Sequence, residues 1–183
     1  MPLSPATARE HQHTRTITCK GYKRKDGLWD IEAHMTDIKT YSFENRDRGG
    51  IQAGEPVHEM WVRISLDLDF VIHDLEAVTD LSPFKICKEA AAGMKKLIGL
   101  QIGPGWRRRV HDLVGRTAGC THLVELLGPL ATTAYQTMHW ALEERAERKP
   151  QRDKPAIIDT CHALASDSPI VKLEWPQFYT GGD

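Results

Sequence analysis

The sequence has little that would mark a membrane, secreted or nucleic-acid-binding protein. No apolar run approaches the roughly 20 residues that span a bilayer, and the polar stretch Met1–Arg15 contains no apolar signal-peptide core. Lys and Arg number 24 against 25 Asp and Glu, whereas nucleic-acid binders usually carry a marked basic excess. We therefore expect a cytoplasmic protein with no membrane partner and no nucleic-acid partner.

Cysteine is also scarce, with four in the whole chain. Without a secretion signal, four cysteines are more typical of free thiols or metal ligands than of a disulfide framework. The glycines form neither a Walker phosphate loop nor a dinucleotide fingerprint, and there is no Gly-x-Ser-x-Gly nucleophile elbow. The candidate catalytic and metal-binding residues are therefore the Cys, His and carboxylate residues.

The remaining composition is that of an ordinary globular protein, with 40% hydrophobic and 27% charged residues. A length of 183 residues favours a single domain. Residues 1–12 are polar, contain two prolines and lack an apolar period. They are predicted to form a disordered leader before a single α+β domain over 13–183.

Four segments in the first half of the chain have the β-branched content or the alternation of strands. The predicted strands are Thr14–Tyr22, Leu28–Thr40, Val57–Leu66 and Phe70–Val78. Turn sequences at Lys25-Asp26-Gly27 and near Asp67-Leu68-Asp69 pair them into two hairpins of an antiparallel sheet. In the second strand, one predicted face holds Trp29, Ile31, Ala33 and Met35, and the other holds Asp30, Glu32, His34 and Thr36. Asp37 is assigned to neither face.

The second half of the chain has helical patterns. Ser82-Pro83 is a helix-start sequence, and apolar residues then recur at helical spacing until Gly103-Pro104-Gly105. A short helix is predicted over Trp106–Val114 and a long one over about Thr121–Arg148, which Pro129 should kink or divide. A short strand is predicted at Ile170–Leu173. Strands followed by helices indicate an α+β fold, in which the sheet packs against a C-terminal helical half with one long kinked helix.

The best candidate for chemistry is Gly119-Cys120-Thr121-His122, where the long helix begins. A thiol at a helix start is favoured as the thiolate, the form that acts as nucleophile or metal ligand. Because Cys120 can lie outside the helical spiral, its side chain could converge with that of His122. A buried cysteine in a tight turn beside a capping histidine explains the spacing as well, so both interpretations stay open.

Three further candidates depend on convergence with that motif. Cys87 lies on an apolar stripe typical of a core residue, but Cys87, Cys120 and His122 would form a sulfur–nitrogen set suited to zinc or iron. His58 opens the apolar face of the third strand, where it is either a satisfied core residue or a proton shuttle or ligand. Glu125 lies one helical turn after His122 and could act as an acid, base or supporting carboxylate.

Other polar groups favour solvated surfaces, although a role stays open for them. Asp30, Glu32 and His34 share one strand face, which could be a ligand set. Cys161-His162 could supply a further ligand. Trp106-Arg107-Arg108-Arg109 could hold an anionic group.

Several of these motifs together resemble the bacterial family known as domain of unknown function 2889. The matching segments are Lys25–Glu32, Thr36–Lys39, Ala53–Met60, Gly119–Leu123, Asp159–Leu164 and Trp175-Pro176. They extend over most of the chain. The resemblance implies the limits of the domain and a bacterial source, but no particular reaction.

A looser likeness is one of element order. Strands, then a helix bearing Cys87, then Cys120 at the start of a long helix is similar to the order in iron–sulfur scaffold proteins of the NifU-like type. Those scaffolds carry the first of these cysteines in a Gly-Cys-Gly loop, whereas Cys87 follows Ile86 in an apolar helix. This likeness of topology cannot establish a function.

Together these residues favour a small-molecule metabolic enzyme with a Cys/His site. Zinc or iron is a possible metal at this site, and a homo-oligomer is a possible assembly. Its catalytic residues would be His58, Cys120, His122 and Glu125. Lyase, hydrolase and isomerase chemistry all remain open. The alternatives are a metal or iron–sulfur carrier and a non-catalytic binding domain.

Overall fold

A computed structural model describes residues 3–147, 154–155 and 157–182. They fall into two compact units, which are divided between Trp140 and Ala141. The first unit holds an antiparallel sheet of two hairpins, with strands in the order β1-β2-β3-β4. The strands are β1 (His13–Lys23), β2 (Trp29–Lys39), β3 (Pro56–Leu66) and β4 (Ile72–Leu81). The four predicted strands are confirmed, and so is the α+β class. Phe70, placed at the start of β4 by the sequence, lies instead in the turn before it with φ 61°.

The helices follow the strands along the chain. They are α1 (Glu89–Gly93), α2 (Trp106–Val114), α3 (Thr121–Glu147) and α4 (Pro169–Glu174). Single 3₁₀ turns lie at Lys85–Lys88, Met94–Leu97, Arg116–Ala118, His162–Leu164 and Pro176–Phe178. The predicted short helix α2 is confirmed at both ends. The long helix α3 is also confirmed and continues through Pro129, so the proline does not divide it.

One face of the sheet is apolar and lies beneath α3. The odd-numbered residues Trp29 to Met35 of β2 are buried, as their alternation predicted. The α3 stripe of Leu123, Leu127, Leu130, Ala134 and Met138 is buried as well, and Leu126 and Ala131 add two further buried side chains. A Cβ on Gly21 of β1 would lie 1.8 Å from Thr137 Oγ1. The helix backbone therefore lies close against β1 at this point.

Two predictions for the helical half are wrong. The helix expected after Ser82-Pro83 is broken into a 3₁₀ turn, the short α1 and a second 3₁₀ turn. Ser82 Oγ donates to the carbonyl of Phe84 instead of capping a helix, and Phe84 is 53% exposed, so the expected apolar stripe is not buried as a unit.

The strand expected at Ile170–Leu173 is in fact within α4. Ser168 caps that helix by accepting from Val171 N–H, and Pro169 occupies its first turn. This is the Ser-Pro start signal that the sequence also carries at residues 82–83. In such a short apolar segment the signal outweighs the β-branched content of Ile170 and Val171.

No helix among the described residues combines the length and apolar character needed to cross a membrane. The chain's four cysteines are free thiols, as expected. Whether 13–183 behaves as one domain, and whether 1–12 is a disordered leader, stay predictions.

Candidate functional site

A row of polar side chains crosses the apolar face of the sheet near the end where α3 begins. Arg15 of β1 pairs in register with Asp37 of β2, and Asp37 pairs with His58 of β3. Residues directly opposite on neighbouring strands point to the same side of a sheet. Strand register alone therefore brings a guanidinium, a carboxylate and an imidazole together.

Asp37 is the centre of the group, and its side chain is only 4% exposed. Its Oδ1 accepts hydrogen bonds from Arg15 Nε at 2.7 Å and faces His13 Nε2 at 2.9 Å. Its Oδ2 accepts from Arg15 Nη2 at 2.8 Å and lies 3.0 Å from His58 Nδ1. Such a two-pronged guanidinium–carboxylate contact fixes both groups in orientation.

The carboxyl of Asp37 stays ionised over a wide pH range. Burial alone would raise its pKa, but the hydrogen bonds and charge of Arg15, with the contacts of His13 and His58, outweigh burial and hold the pKa at about 2. The same contacts raise the pKa of the Arg15 guanidinium. The site therefore carries a permanent negative charge at its buried centre.

Helix α3 adds a second imidazole from above. His122, in the first turn of α3, places its ring against that of His58, with centroids 3.8 Å apart and planes inclined by 32°. Its Nε2 lies 4.0 Å from Asp37 Oδ2. Burial and the neighbouring His122 lower the pKa of His58, although Asp37 works in the opposite sense. His58 is accordingly a neutral imidazole near pH 7, which leaves a nitrogen available as base or ligand.

Cys120 lies just outside the helical spiral, as the motif allowed. Its Sγ is 3.9 Å from His122 Nδ1, the nitrogen that faces away from Asp37. Burial opposes ionisation of the thiol, but His122 and the backbone N–H groups of His122 and Leu123 together lower its pKa. Gly119 is needed before it, because a Cβ there would lie 2.2 Å from the carbonyl oxygen of Val114.

The two carboxylates differ in what they do. Glu125 forms an ion pair with the remaining arm of Arg15, and its side chain is 47% exposed. It is not among the residues that line the cavity above Asp37. Arg15 thus lies between two carboxylates, and the Asp37–Arg15–Glu125 group carries a net charge of minus one.

A cavity of about 190 Å³ opens over this group. It is lined by His13, Arg15, Asp37, Lys39, Val57, His58 and His122. The pairing of β2 and β3 shifts register between Asp37 and Ile38. The shift brings Val57, against strict alternation, into the lining beside His58. Register shifts of this kind commonly re-aim side chains next to functional sites.

Three of the five predicted site residues come together here, whereas Glu125 reaches the group only through Arg15 and Cys87 does not join it. His58, Cys120 and His122 form a continuous series of contacts. Within the described ranges, the group of ligand atoms able to hold a metal is Asp37, His58 and His122. The predicted sulfur–nitrogen set is not found there, because Cys87 lies in a 3₁₀ turn and is not one of these ligands.

The other candidate groups lie elsewhere. His34 faces the opposite side of the sheet, where its ring stacks on Trp61 and its Nε2 lies 3.1 Å from Glu59. Asp30 accepts from Ser65 Oγ on that same side, so the Asp30, Glu32 and His34 face does not join the site. Cys161 is an exposed thiol of the second compact unit. In α2, Arg109 donates to the carbonyl groups of Pro104 and Gln101.

Sequence reasoning missed Asp37, Arg15, His13 and Lys39. The signal for Asp37 was present, since it continues the odd-numbered series of buried residues in β2. Arg15 and His13 could be found only from the register of β1 on β2, which an edge strand rich in threonine does not reveal.

These features define an α+β protein with an Asp–His–His group, buried at its carboxylate, between an antiparallel sheet and the start of a long helix. The chain belongs to the family described as protein of unknown function (DUF2889), whose model matches residues 13–136, about two thirds of the chain. The matched region contains every member of the site. No curated protein and no solved structure matches the chain.

Proposed function

We propose that this protein is a metal-dependent enzyme that acts on a small molecule, with Asp37, His58 and His122 as the metal ligands. The observation that carries the proposal is the convergence of one ligand atom from each residue, all within 4.8 Å of one another. Two imidazoles and one carboxylate, with further positions open, are the ligand set of many iron and zinc enzymes.

The distances suit a single ion. At metal–ligand distances of about 2.0–2.2 Å, neighbouring ligand atoms lie about 3–3.5 Å apart. Asp37 Oδ2 is 3.0 Å from His58 Nδ1 and 4.0 Å from His122 Nε2. All three ligand atoms lie within 4.8 Å of one another, so the His122 ring must move toward the other two ligands to complete the set.

The charges suit a cation as well. Arg15 occupies one lone pair of Asp37 Oδ2 and the second faces His58 Nδ1 at 3.0 Å, so an ion would take the place of the proton between them. Because Arg15 is shared by Asp37 and Glu125, one of the two negative charges remains for an ion. Lowering of the His58 pKa favours the neutral imidazole that a metal requires.

The surrounding residues act as the supporting shell of such a site. A ligating histidine usually hydrogen-bonds a partner through its other nitrogen. Cys120 holds that position on His122, so we assign it to positioning rather than to nucleophilic attack. The ion would polarise a substrate carbonyl or activate water at the cavity face, a chemistry compatible with a lyase, a hydrolase or an isomerase.

The contacts favour an enzyme over an iron–sulfur carrier. Clusters are held chiefly by cysteine thiolates, and Cys120 is the one thiol in contact with the group in the part of the chain described. An iron–sulfur cluster enclosed by its ligands would also not require a cavity beside them. A plain binding domain remains the outcome if no metal binds.

Metal analysis of native protein purified without chelators, followed by titration of the stripped protein with Zn²⁺ and anaerobic Fe²⁺, tests the proposal. We expect about one ion per chain and a loss of at least ~10-fold in affinity for His58→Ala and for His122→Ala, the size of effect typical even of residues around a metal site. His34→Ala is the matched control, because His34 lies on the opposite sheet face beside Glu59.

Cys120→Ser separates positioning from ligation. A supporting role predicts that the serine variant keeps the ion at reduced affinity. Native protein and titrated protein that both stay free of metal would overturn the proposal, as would binding that His58→Ala and His122→Ala leave unchanged.

A further inference from the structure

We propose that the cavity selects a compact organic carboxylate and that the ammonium group of Lys39 binds it. The inference deepens the proposed function by naming its substrate class. It starts from Lys39, a residue outside the ligand group. Lys39 lines the same cavity as His58 and His122.

Strand geometry aims Lys39 into the cavity. It follows Asp37 by two residues at the end of β2, so both side chains leave the sheet on the same side. Lys39 pairs in register with His13 of β1, and His13 contacts Asp37. Lys39 therefore lines the cavity on the same side of the sheet as Asp37, and its ammonium is not bound to Asp37.

The ammonium is held in place but not neutralised. Its Nζ donates to Tyr41 Oη at 2.8 Å and lies 4.9 Å from the ring centre of Tyr41 and 4.8 Å from that of Phe43. An ammonium has three donors, and within residues 3–147 no carboxylate pairs with this one. The aromatic contacts orient the charge and leave donors for a ligand.

Arg15 also lines the cavity, but its guanidinium is already paired with two carboxylates. Two of its nitrogens bind Asp37 and a third pairs with Glu125. An anionic ligand would have to displace a buried carboxylate to reach it. Lys39 is consequently the cation that an incoming anion meets.

The donor set favours a carboxylate over a phosphate. Phosphate sites usually combine several cations with backbone N–H groups at a helix start. Among the described residues at the start of α3 only His122 lines the cavity, so a cluster of helix N–H groups is not part of its lining. One ammonium matches a single negative charge, and a cavity of about 190 Å³ has room for a compact molecule.

Benzoate and its neutral isostere benzamide are the probes, titrated into metal-free and Zn²⁺-treated protein by calorimetry. We expect benzoate to bind both forms and benzamide to bind at least ~10-fold more weakly, the size of one charge-assisted contact. Lys39→Met should weaken benzoate by a similar factor, whereas Lys39→Arg should largely preserve it. Lys20→Met is the control, because Lys20 is exposed on the other face of the sheet.

Every outcome of these titrations either supports or overturns the inference. The inference is overturned if benzoate does not bind, if benzamide binds equally well, if Lys39→Met is without effect, or if inorganic phosphate binds more tightly than benzoate through Lys39. Because benzoate is also titrated into metal-free protein, failure of the proposed metal site can be distinguished from failure of the carboxylate site. Lys39-dependent benzoate binding without any metal uptake would keep this inference and reject the metal.

Discussion

At the scale of single residues, Asp37 determines both the structure and the chemistry of the site. It is a buried carboxylate that contacts side chains from β1, β3 and α3. Burying such a charge is costly unless it is paired and hydrogen-bonded. Arg15, His13 and His58 supply those contacts. Removing Arg15 would leave the buried carboxylate of Asp37 without its charged partner.

Asp37→Asn should lower the free energy of unfolding by about 3 kcal/mol, the usual cost of breaking a buried ion pair. The measurement is urea denaturation of metal-free protein at pH 7. Asp26→Asn is the control, because Asp26 pairs with Arg24 on the surface of the first hairpin and should cause little change. Equal effects of the two substitutions would contradict the structural role given to Asp37.

The same carboxyl predicts a pH dependence. Its pKa is about 2 in the folded protein and about 3.9 in an unfolded chain. A carboxyl whose pKa is lower in the folded protein stabilises the fold at pH values above its pKa in the unfolded chain. The stabilisation is lost as the pH falls toward its pKa in the folded protein. The stability difference between wild type and Asp37→Asn should therefore shrink between about pH 4 and pH 2, below the range in which His58 titrates. A difference that stays constant to pH 2 would show that the Asp37 charge contributes nothing.

At the scale of elements, the sheet was predictable because alternation and turn residues act locally. The β2 series of Trp29, Ile31, Ala33 and Met35 is buried as its period requires. Cys120 and His122 could also be found, since a helix start can be identified within a few residues. The broken segment after Ser82 and the helix α4 were mispredicted because short apolar segments satisfy more than one period.

The assembly of the site was less predictable, because it depends on how the elements meet. Arg15, Asp37 and His58 become neighbours through strand register, and His122 joins them through the placement of α3. These contacts link residues more than 20 positions apart. Local patterns in the sequence contain little information about such pairings.

Gly21 tests how closely α3 lies on β1. A Cβ there would meet Thr137 Oγ1 at 1.8 Å and Thr137 Cβ at 2.6 Å, so the helix or the strand must move. Gly21→Ala should lower the free energy of unfolding by about 1–3 kcal/mol, the usual cost of overpacking. Gly103→Ala is the control, because no atom lies within 4 Å of a Cβ at Gly103. Denaturation curves that rank the two variants the other way would disprove the close approach.

At the scale of the whole molecule, the site exists only when the first compact unit is folded. Its members come from β1, β2, β3 and α3, and the sheet and helix must both be in place for Asp37, His58 and His122 to converge. An unfolded chain presents these ligands far apart along the sequence. A metal held by them should therefore bind the folded state and stabilise it.

The stabilisation has a predicted size and a predicted dependence on the ligands. Free Zn²⁺ at 100 times its dissociation constant should add about 2.7 kcal/mol to the stability of the folded state. In a chain of this length that corresponds to a rise in Tm of about 5–10 °C, measured by scanning calorimetry with and without a chelator. His58→Ala should abolish the rise, and His34→Ala should retain it because its imidazole faces the other side of the sheet. A rise of the same size in both variants would place the ion at another site, since only one of the two histidines belongs to the converging group.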